Sequence, residues 1–368
     1  MTPFEKFTAT RTELSASLIE REQEIDLILT ALIAKEHVLL VGPPGTGKSM
    51  LADAVVSWLD GSRFSMLLTK YSTPEEVFGP ISVAGLKADV YRRVITGKLP
   101  EADVAFIDEI FKGSSAILNT MLRVLNERTF QNDGTLVACP LKLCIGASNE
   151  WPGDQEGGKE LGALFDRFLL RKLVRPIATE KSIHRLLWDV DLTPGIGTRL
   201  SETELDEAHD EARLLPWTAE AKEAFLTIHR QARSEGIVPG DRRLRKSVTA
   251  TQAFTWLNGG AAVEPDHLEI LAHILWDDPA EQPKKMAEIV GAVANPQGMK
   301  INSLLMEADQ VIAATNMKDL ASAIAATKKL KEVHKQLAGM TGAKAQQARE
   351  HVESEGKRIK AATMESMS

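Results

Sequence analysis

Gly42, Pro43, Pro44, Gly45, Thr46, Gly47, Lys48 and Ser49 carry the strongest chemical signal in the sequence. The apolar run His37–Val41 leads into them, and a segment of helical periodicity, Met50–Leu59, follows. In a strand-loop-helix context such a run cradles phosphate. Glycines let successive N–H groups converge on oxygen, and the helix start adds positive potential. Lys48 would then reach the β- and γ-phosphates of a nucleotide, and the Ser49 hydroxyl would ligate Mg2+. Sixty residues after Lys48, the run Val104–Ile107 ends in Asp108-Glu109. A strand that delivers two carboxylates at its C-terminal end places them where an α/β sheet binds ligand. Asp108 would hold a hydrated Mg2+, and Glu109 would orient and activate the attacking water, which argues for hydrolysis over storage of nucleotide. A third run, Leu141–Ala147, ends in Ser148-Asn149-Glu150. An amide there could hydrogen-bond the lytic water or the γ-phosphate; a turn-forming Asn closing the strand is the plainer reading.

Groups from three strands meet at one edge only if the strands are parallel. Val38–Gly42, Phe64–Leu68, Val104–Ile107 and Leu143–Ala147, with a weaker run at Phe168–Leu173, are separated by segments of helical period. This is the pattern of a parallel α/β sheet sandwiched by helices, and it assigns residues 1–178 to that core. Residues 179–290 read as an all-α lid, with Ala219–Arg233, Arg242–Leu257 and Pro265–Trp276 as its clearest helices. Residues 291–368 form a third region, and no Phe, Tyr or Trp occurs after Trp276. There Leu305, Ala308 and Ile312, then Leu320, Ala323 and Ile324, then Leu330, Val333 and Leu337 recur at helical spacing, and Gly339-Met-Thr-Gly342 supplies a turn. A C-terminal helical hairpin or coiled coil is expected, with a disordered tail beyond about 350 as the alternative. Two insertions read as β-hairpins. Residues 81–96 alternate Ile81, Val83 and Gly85 against Val90, Arg92 and Val94, and Arg128–Leu136 turns at Asn132-Asp-Gly134.

The chain has 368 residues, 43% apolar and 26% charged, with a net charge of −7. That balance excludes a wholly disordered chain and offers no global basic footprint for nucleic acid. No apolar stretch approaches the roughly 20 residues of a membrane-spanning helix, so no membrane insertion is expected. The opening Met-Thr-Pro-Phe-Glu-Lys is not patterned as a secretory leader. Cys139 and Cys144, five apart on what reads as one strand, would face opposite sides of the pleat and stay reduced. A cytoplasmic location is the expectation.

The order of phosphate loop, Asp-Glu strand, Asn-ended strand, Phe165-Asp-Arg167-Phe168 and a helical domain resembles an AAA+ ATPase. Tyr71-Ser-Thr-Pro-Glu-Glu-Val-Phe-Gly-Pro80, Ile117–Arg128 and Ala147–Glu150 are similar to the MoxR family, nearest its regulatory ATPase variant A branch, over roughly residues 15–290. The resemblance implies binding of ATP and Mg2+, with Asn149 as sensor 1. Arg167 would be an arginine finger acting in a neighbouring subunit's site, with Arg171 as fallback. Gly240-Asp-Arg-Arg243 resembles the sensor 2 segment, and Arg243 is favoured over Arg242; the adjacent arginines leave the register open. A solvated basic helix face is the other reading of Arg242, Arg243, Arg245 and Lys246. The two hairpins correspond to the helix-2 insert, facing a ring pore, and the pre-sensor-1 hairpin. The family implies a homo-hexameric ring that remodels, matures or activates protein partners, often a von Willebrand factor A-domain protein. Nucleic acid is not the expected partner, because neither hairpin tip is rich in Lys or Arg. A helicase-like motor, a magnesium-chelatase-type subunit and a non-hydrolysing scaffold are the alternatives.

Overall fold

The structure is a computed structural model and describes residues 1–151, 158–188, 195–313, 315, 320–340 and 343–365. Two helices, α1 (Pro3–Ser17) and α2 (Glu22–Ala34), precede strand β1 (Val38–Val41). Then come α3 (Lys48–Trp58), β2 (Arg63–Leu67), the short helices α4 (Pro74–Phe78) and α5 (Val83–Lys87), and β3 (Val104–Asp108). Helix α6 (Ser115–Glu127) leads to the hairpin β4 (Thr129–Asn132) and β5 (Thr135–Ala138), followed by β6 (Leu143–Ser148), α7 (Gly158–Arg167) and β7 (Leu170–Leu173). Among the described residues, five strands make a parallel sheet in the order β2-β3-β6-β1-β7. The strands β1 and β6 are buried along their whole length because helices cover both faces, which is why they read as continuous apolar runs rather than alternating ones.

Register decides where the chemistry lies. Val41 is level with Ser148 on one side and Leu173 on the other, and Leu67 is level with Asp108. The C-terminal ends of β1, β3 and β6 therefore form one edge, and the chain leaves β1 there for the far side of the sheet. This is the switch point where such sheets bind ligands.

The hairpin after α6 is as expected. Asp133 and Gly134 both have positive φ, 53° and 71°, the two-residue turn that matches strand twist. Residues 81–96 do not form the expected β-hairpin. Only Ile81 and Arg93 bridge, and between them Ser82 accepts the Gly85 N–H at 3.0 Å and starts α5. Serine is a strong helix N-cap, and Ala84, Leu86 and Lys87 prefer helix, so local capping overrides the alternation. The cysteines are also placed differently. Cys139 follows β5 while Cys144 lies in β6, so they do not share a strand. Both are free and buried, and burial pushes their thiols up to about 11 and about 12.

The helical region comprises α8 (Glu180–Trp188), α9 (Glu202–Leu214), α10 (Ala219–Ser234), α11 (Asp241–Leu257), a 3-10 segment Pro265–His273 and α12 (Gln282–Ala294). Capping boxes or caps at Ser201 and Thr218 set the starts of α9 and α10. One apolar core runs from Phe7 to Ala294 and joins sheet and lid; Phe7 meets Trp58 and Trp256 edge-on at 4.9 and 5.5 Å. Beyond it stand three helices, α13 (Pro296–Ala313), α14 (Leu320–Ala338) and α15 (Ala343–Glu365), where a hairpin was expected. They share a second core that includes Leu304, Ala308, Leu330, Val333, Leu337 and Val352. Helix α14 ends just before Gly339, while Thr341 and Gly342 of the expected turn lie outside the described residues, and the Leu305–Ile312 stretch lies in a helix of its own, α13. Ile324, read as a core position, is exposed. No helix among the described residues is long and apolar enough to cross a membrane.

Candidate nucleotide site

Gly45 and Gly47 sit at φ 78° and 79°, the left-handed region that L side chains rarely adopt. Gly42 is required for a different reason: a Cβ there would fall inside the Val174 carbonyl. The loop thus passes tightly over the end of β7 and opens α3 with the N–H groups of its first turn unspent, as an anion site needs. Thr46 Oγ1 donates to Pro43 O at 2.9 Å and braces the bend. Lys48 Nζ is folded back onto Gly42 O (2.7 Å), Pro43 O (2.9 Å) and Asn149 Oδ1 (3.0 Å). Burial lowers the Lys48 ammonium from its ordinary value, against the opposing pull of Asp108 and Glu109.

Ser49 Oγ donates to Asp108 Oδ2 at 3.1 Å, so the hydroxyl and carboxylate expected to share a cation already converge. Among the described residues no group of three or more His, Cys, Asp or Glu forms a cation cage. A pair with so few protein oxygens suits Mg2+, which keeps several waters and takes phosphate oxygens as further ligands. One turn beyond Ser49, burial and the neighbouring Asp108 raise the Asp53 carboxyl.

Glu109 is buried and holds φ 52°, ψ 43°, left-handed for a non-glycine residue. Such outliers persist where surrounding contacts over-determine them. Its Oε1 accepts from Asn149 Nδ2, and Oε2 pairs with Lys112 Nζ at 3.2 Å. Lys48, Asn149, Glu109 and Lys112 therefore form one polar chain across the strand ends. Asn149 joins Lys48 to the Glu109 carboxylate, accepting from the one and donating to the other.

Sequence reasoning missed two residues here. The Arg21 guanidinium is buried and donates to Thr46 O (3.1 Å) and Arg175 O (2.9 Å), strapping the phosphate loop to the segment after β7. Glu20 accepts from Thr179 Oγ1 (2.7 Å) and the Ala178 and Thr179 N–H groups, and these bonds hold its carboxyl at about 2. The available signal was an arginine at a helix start, where a capping Ser, Thr, Asp or Asn is usual.

The arginines lie elsewhere. Leu170 is level with Val38, so residues 166–169 stand at the N-terminal edge of the sheet, about 15 Å along the strands from the phosphate loop. Arg167 pairs there with Asp166 at 3.1 Å and keeps part of its side chain in solvent. Arg171, the fallback finger, is 0% exposed, lies 3.8 Å over the Phe165 ring and bonds Trp276 O and Asp277. Burial, then repulsion from Arg243, lowers it to about 9. It has nothing free for a phosphate. Arg243, expected as a phosphate sensor, is 3% exposed and bonds Leu169 O (2.9 Å), Ile274 O (3.0 Å) and Asp166 (3.0 Å), away from its own chain's loop. The solvated-face reading also fails for it, whereas Arg242 reaches Asn126 on the surface and Lys246 pairs with Glu36.

A parallel sheet bearing a phosphate loop, an Asp-Glu strand and an Asn-ended strand, followed by a helical lid, defines an AAA+ ATPase. Residues 5–205 match the family described as the MoxR domain in MoxR-vWA-beta-propeller ternary systems, and residues 222–290 match an AAA lid domain. The chain belongs to the MoxR family. An uncharacterized protein of Methanocaldococcus jannaschii is 38% identical over 76% of this chain and 74% of its own length. The chaperone MoxR1 of Mycobacterium tuberculosis is 23% identical over 50% of this chain and 47% of its own. A candidate ATPase from Cytophaga hutchinsonii has the same fold, with a TM-score of 0.63 at 14% identity over 80% of this chain and 95% of its own.

Proposed function

We propose that the chain hydrolyses ATP with Mg2+ as a subunit of a homo-hexameric ring, and that turnover drives chaperone-like remodelling, maturation or activation of a protein partner. The observation that carries this reading is the convergence of Lys48, Ser49, Asp108, Glu109 and Asn149 at one sheet edge while Arg167 stands at the other. Lys48 exchanges its loop carbonyls for phosphate oxygens. Ser49 and Asp108 would hold Mg2+, which would supply charge neutralisation at the phosphates. Glu109 orients water and takes its proton, with Asn149 fixing the carboxylate. Arg167 cannot reach its own loop and serves the site of a neighbouring copy, so hydrolysis depends on assembly. A von Willebrand factor A-domain protein is the partner we favour. The description of the matched family, which names both that domain and a β-propeller, supports it. Among MoxR branches, the motifs at 71–80 and 117–128 favour kinship with regulatory ATPase variant A. The buried, reduced thiols fit work in the cytoplasm.

Phosphate release measured across protein concentration tests the reading. Specific activity should rise as copies assemble, and Glu109→Gln should retain ATP without releasing phosphate. In native lysate the ATP-loaded Glu109→Gln form should hold a partner protein that Lys48→Ala does not. A constant rate per subunit from a monomer would contradict the ring.

A further inference from the structure

At the N-terminal edge of the sheet, α7 ends three residues before β7, where the carbonyls of a helix's last turn lack α-helical partners; Phe165 O keeps a bond from the Phe168 N–H at 3.2 Å. Two buried guanidiniums add donors to the carbonyls around this end. Arg171 donates to Phe165 O and Phe168 O, each at 3.1 Å. Arg243, from the start of lid helix α11, donates to Asp166 O at 3.0 Å and to Leu169 O and Ile274 O. Cations at a helix C-terminus also meet the favourable end of its dipole. Asp166 sits at the centre. Its Oδ1 accepts from Arg243 Nη2 at 3.0 Å, and its Oδ2 accepts from Arg167 Nη1 at 3.1 Å. Asp277, on the lid side, pairs with Arg171 at 3.1 Å and stands 3.5 Å from Arg243 Nε.

Two buried cations held by two half-exposed carboxylates are a costly way to glue a lid to a core, since a well-packed apolar contact of equal volume stabilises as much or more. What the charged arrangement adds is a connection. One carboxylate carries the lid arginine on one oxygen and Arg167 on the other. The buried Nε atoms of Arg167 and Arg243 have no hydrogen-bond partner, so this arrangement leaves donors unspent.

We propose that Arg243 is a positioning residue for Arg167: from the lid it caps α7 and, through Asp166, fixes the guanidinium that a neighbouring copy's phosphates receive. Lid seating thereby sets how well Arg167 is presented, and Arg243 itself touches no nucleotide. The proposal rests on Arg167 acting in trans.

The test is steady-state turnover of the full-length assembled protein for Arg167→Ala, Arg243→Gln, Asp166→Asn and the two double variants with Arg167→Ala. Arg243→Gln should lower kcat about tenfold and Asp166→Asn several-fold, with KM for ATP changed less than about twofold. On the Arg167→Ala background neither should lower kcat further, because residues acting through one group are not additive. Arg243→Lys, which keeps charge but not the fork geometry, should recover only part of the rate. Multiplied losses in the double variants, a raised KM, or full kcat in Arg243→Gln would overturn the proposal. If Arg243→Gln does not fold or assemble, Asp166→Asn decides alone, since that side chain is half exposed. An Arg167→Ala protein with unchanged kcat would sink the finger reading, and this proposal with it, and that single variant reports it separately.

Discussion

The two ends of β1 both gather buried cations, yet they use them in opposite ways. At the C-terminal end Lys48 rests on loop carbonyls and an amide, contacts that a phosphate can replace. At the N-terminal end Arg171 and Arg243 are spent on helix carbonyls and carboxylates inside the joint between sheet and lid. Charge alone therefore does not mark a ligand site. A cation at a strand's C-terminal edge beside unspent helix N–H groups can accept ligand, whereas one that caps a helix C-terminus is part of the scaffold.

Substitutions at the two ends should separate accordingly. Glu109→Gln is expected to lower kcat by roughly 10²–10⁴, the span of a lost general base, with ATP affinity unchanged by equilibrium titration. Rapid turnover in that variant would erase the catalytic character of this edge. Arg171→Met should destabilise the chain by about 3–5 kcal/mol, because Asp277 and the Phe165, Phe168 and Trp276 carbonyls each lose a bond to the guanidinium, while ATP affinity is retained. Calorimetric melting reads the first and nucleotide titration the second; an intact melting temperature with lost binding would reverse the comparison. Lys48→Ala should show the mirror image, an ATP affinity lower by about 10- to 100-fold from loss of charge-assisted bonds, with melting little changed.

The smallest effect concerns the strap beside the loop. The Glu20 carboxyl is held at about 2 against an ordinary 4.5, so its contribution to stability is present above the ordinary value and lost as pH falls through the folded one. Glu20→Gln should melt below wild type at pH 6, and the gap should close between about pH 4.5 and 2. A gap that persists at pH 2 would assign the effect to packing.

What the sequence disclosed follows the range of the interactions. The phosphate loop was legible because Gly45 and Gly47 answer to local backbone geometry and Lys48 and Ser49 to the helix they open. Asp108 and Asn149 were legible because strand ends set their edge. The 81–96 insertion was misread although its signal is local: Ser82 three residues before Gly85 is a cap, and alternation hid it. Arg243 was misplaced for the opposite reason, since its partners Leu169 and Ile274 lie 74 and 31 residues away and no local pattern announces them. Arg21, bonded to Thr46 and Arg175, was missed on similar ground, its one local sign being an arginine at a helix start.

The central claim is that the two ends of the sheet belong to one reaction, completed between copies. The most direct measurement mixes Glu109→Gln subunits, which keep Arg167 but lack the base, with Arg167→Ala subunits, which keep the base but lack the arginine. Each is strongly impaired alone on this account, and phosphate release should rise well above the sum of the two on mixing, because a Glu109→Gln subunit lends its arginine to an intact neighbouring site. Absence of that rise at every ratio, with subunit exchange verified by labelled protein, would contradict it.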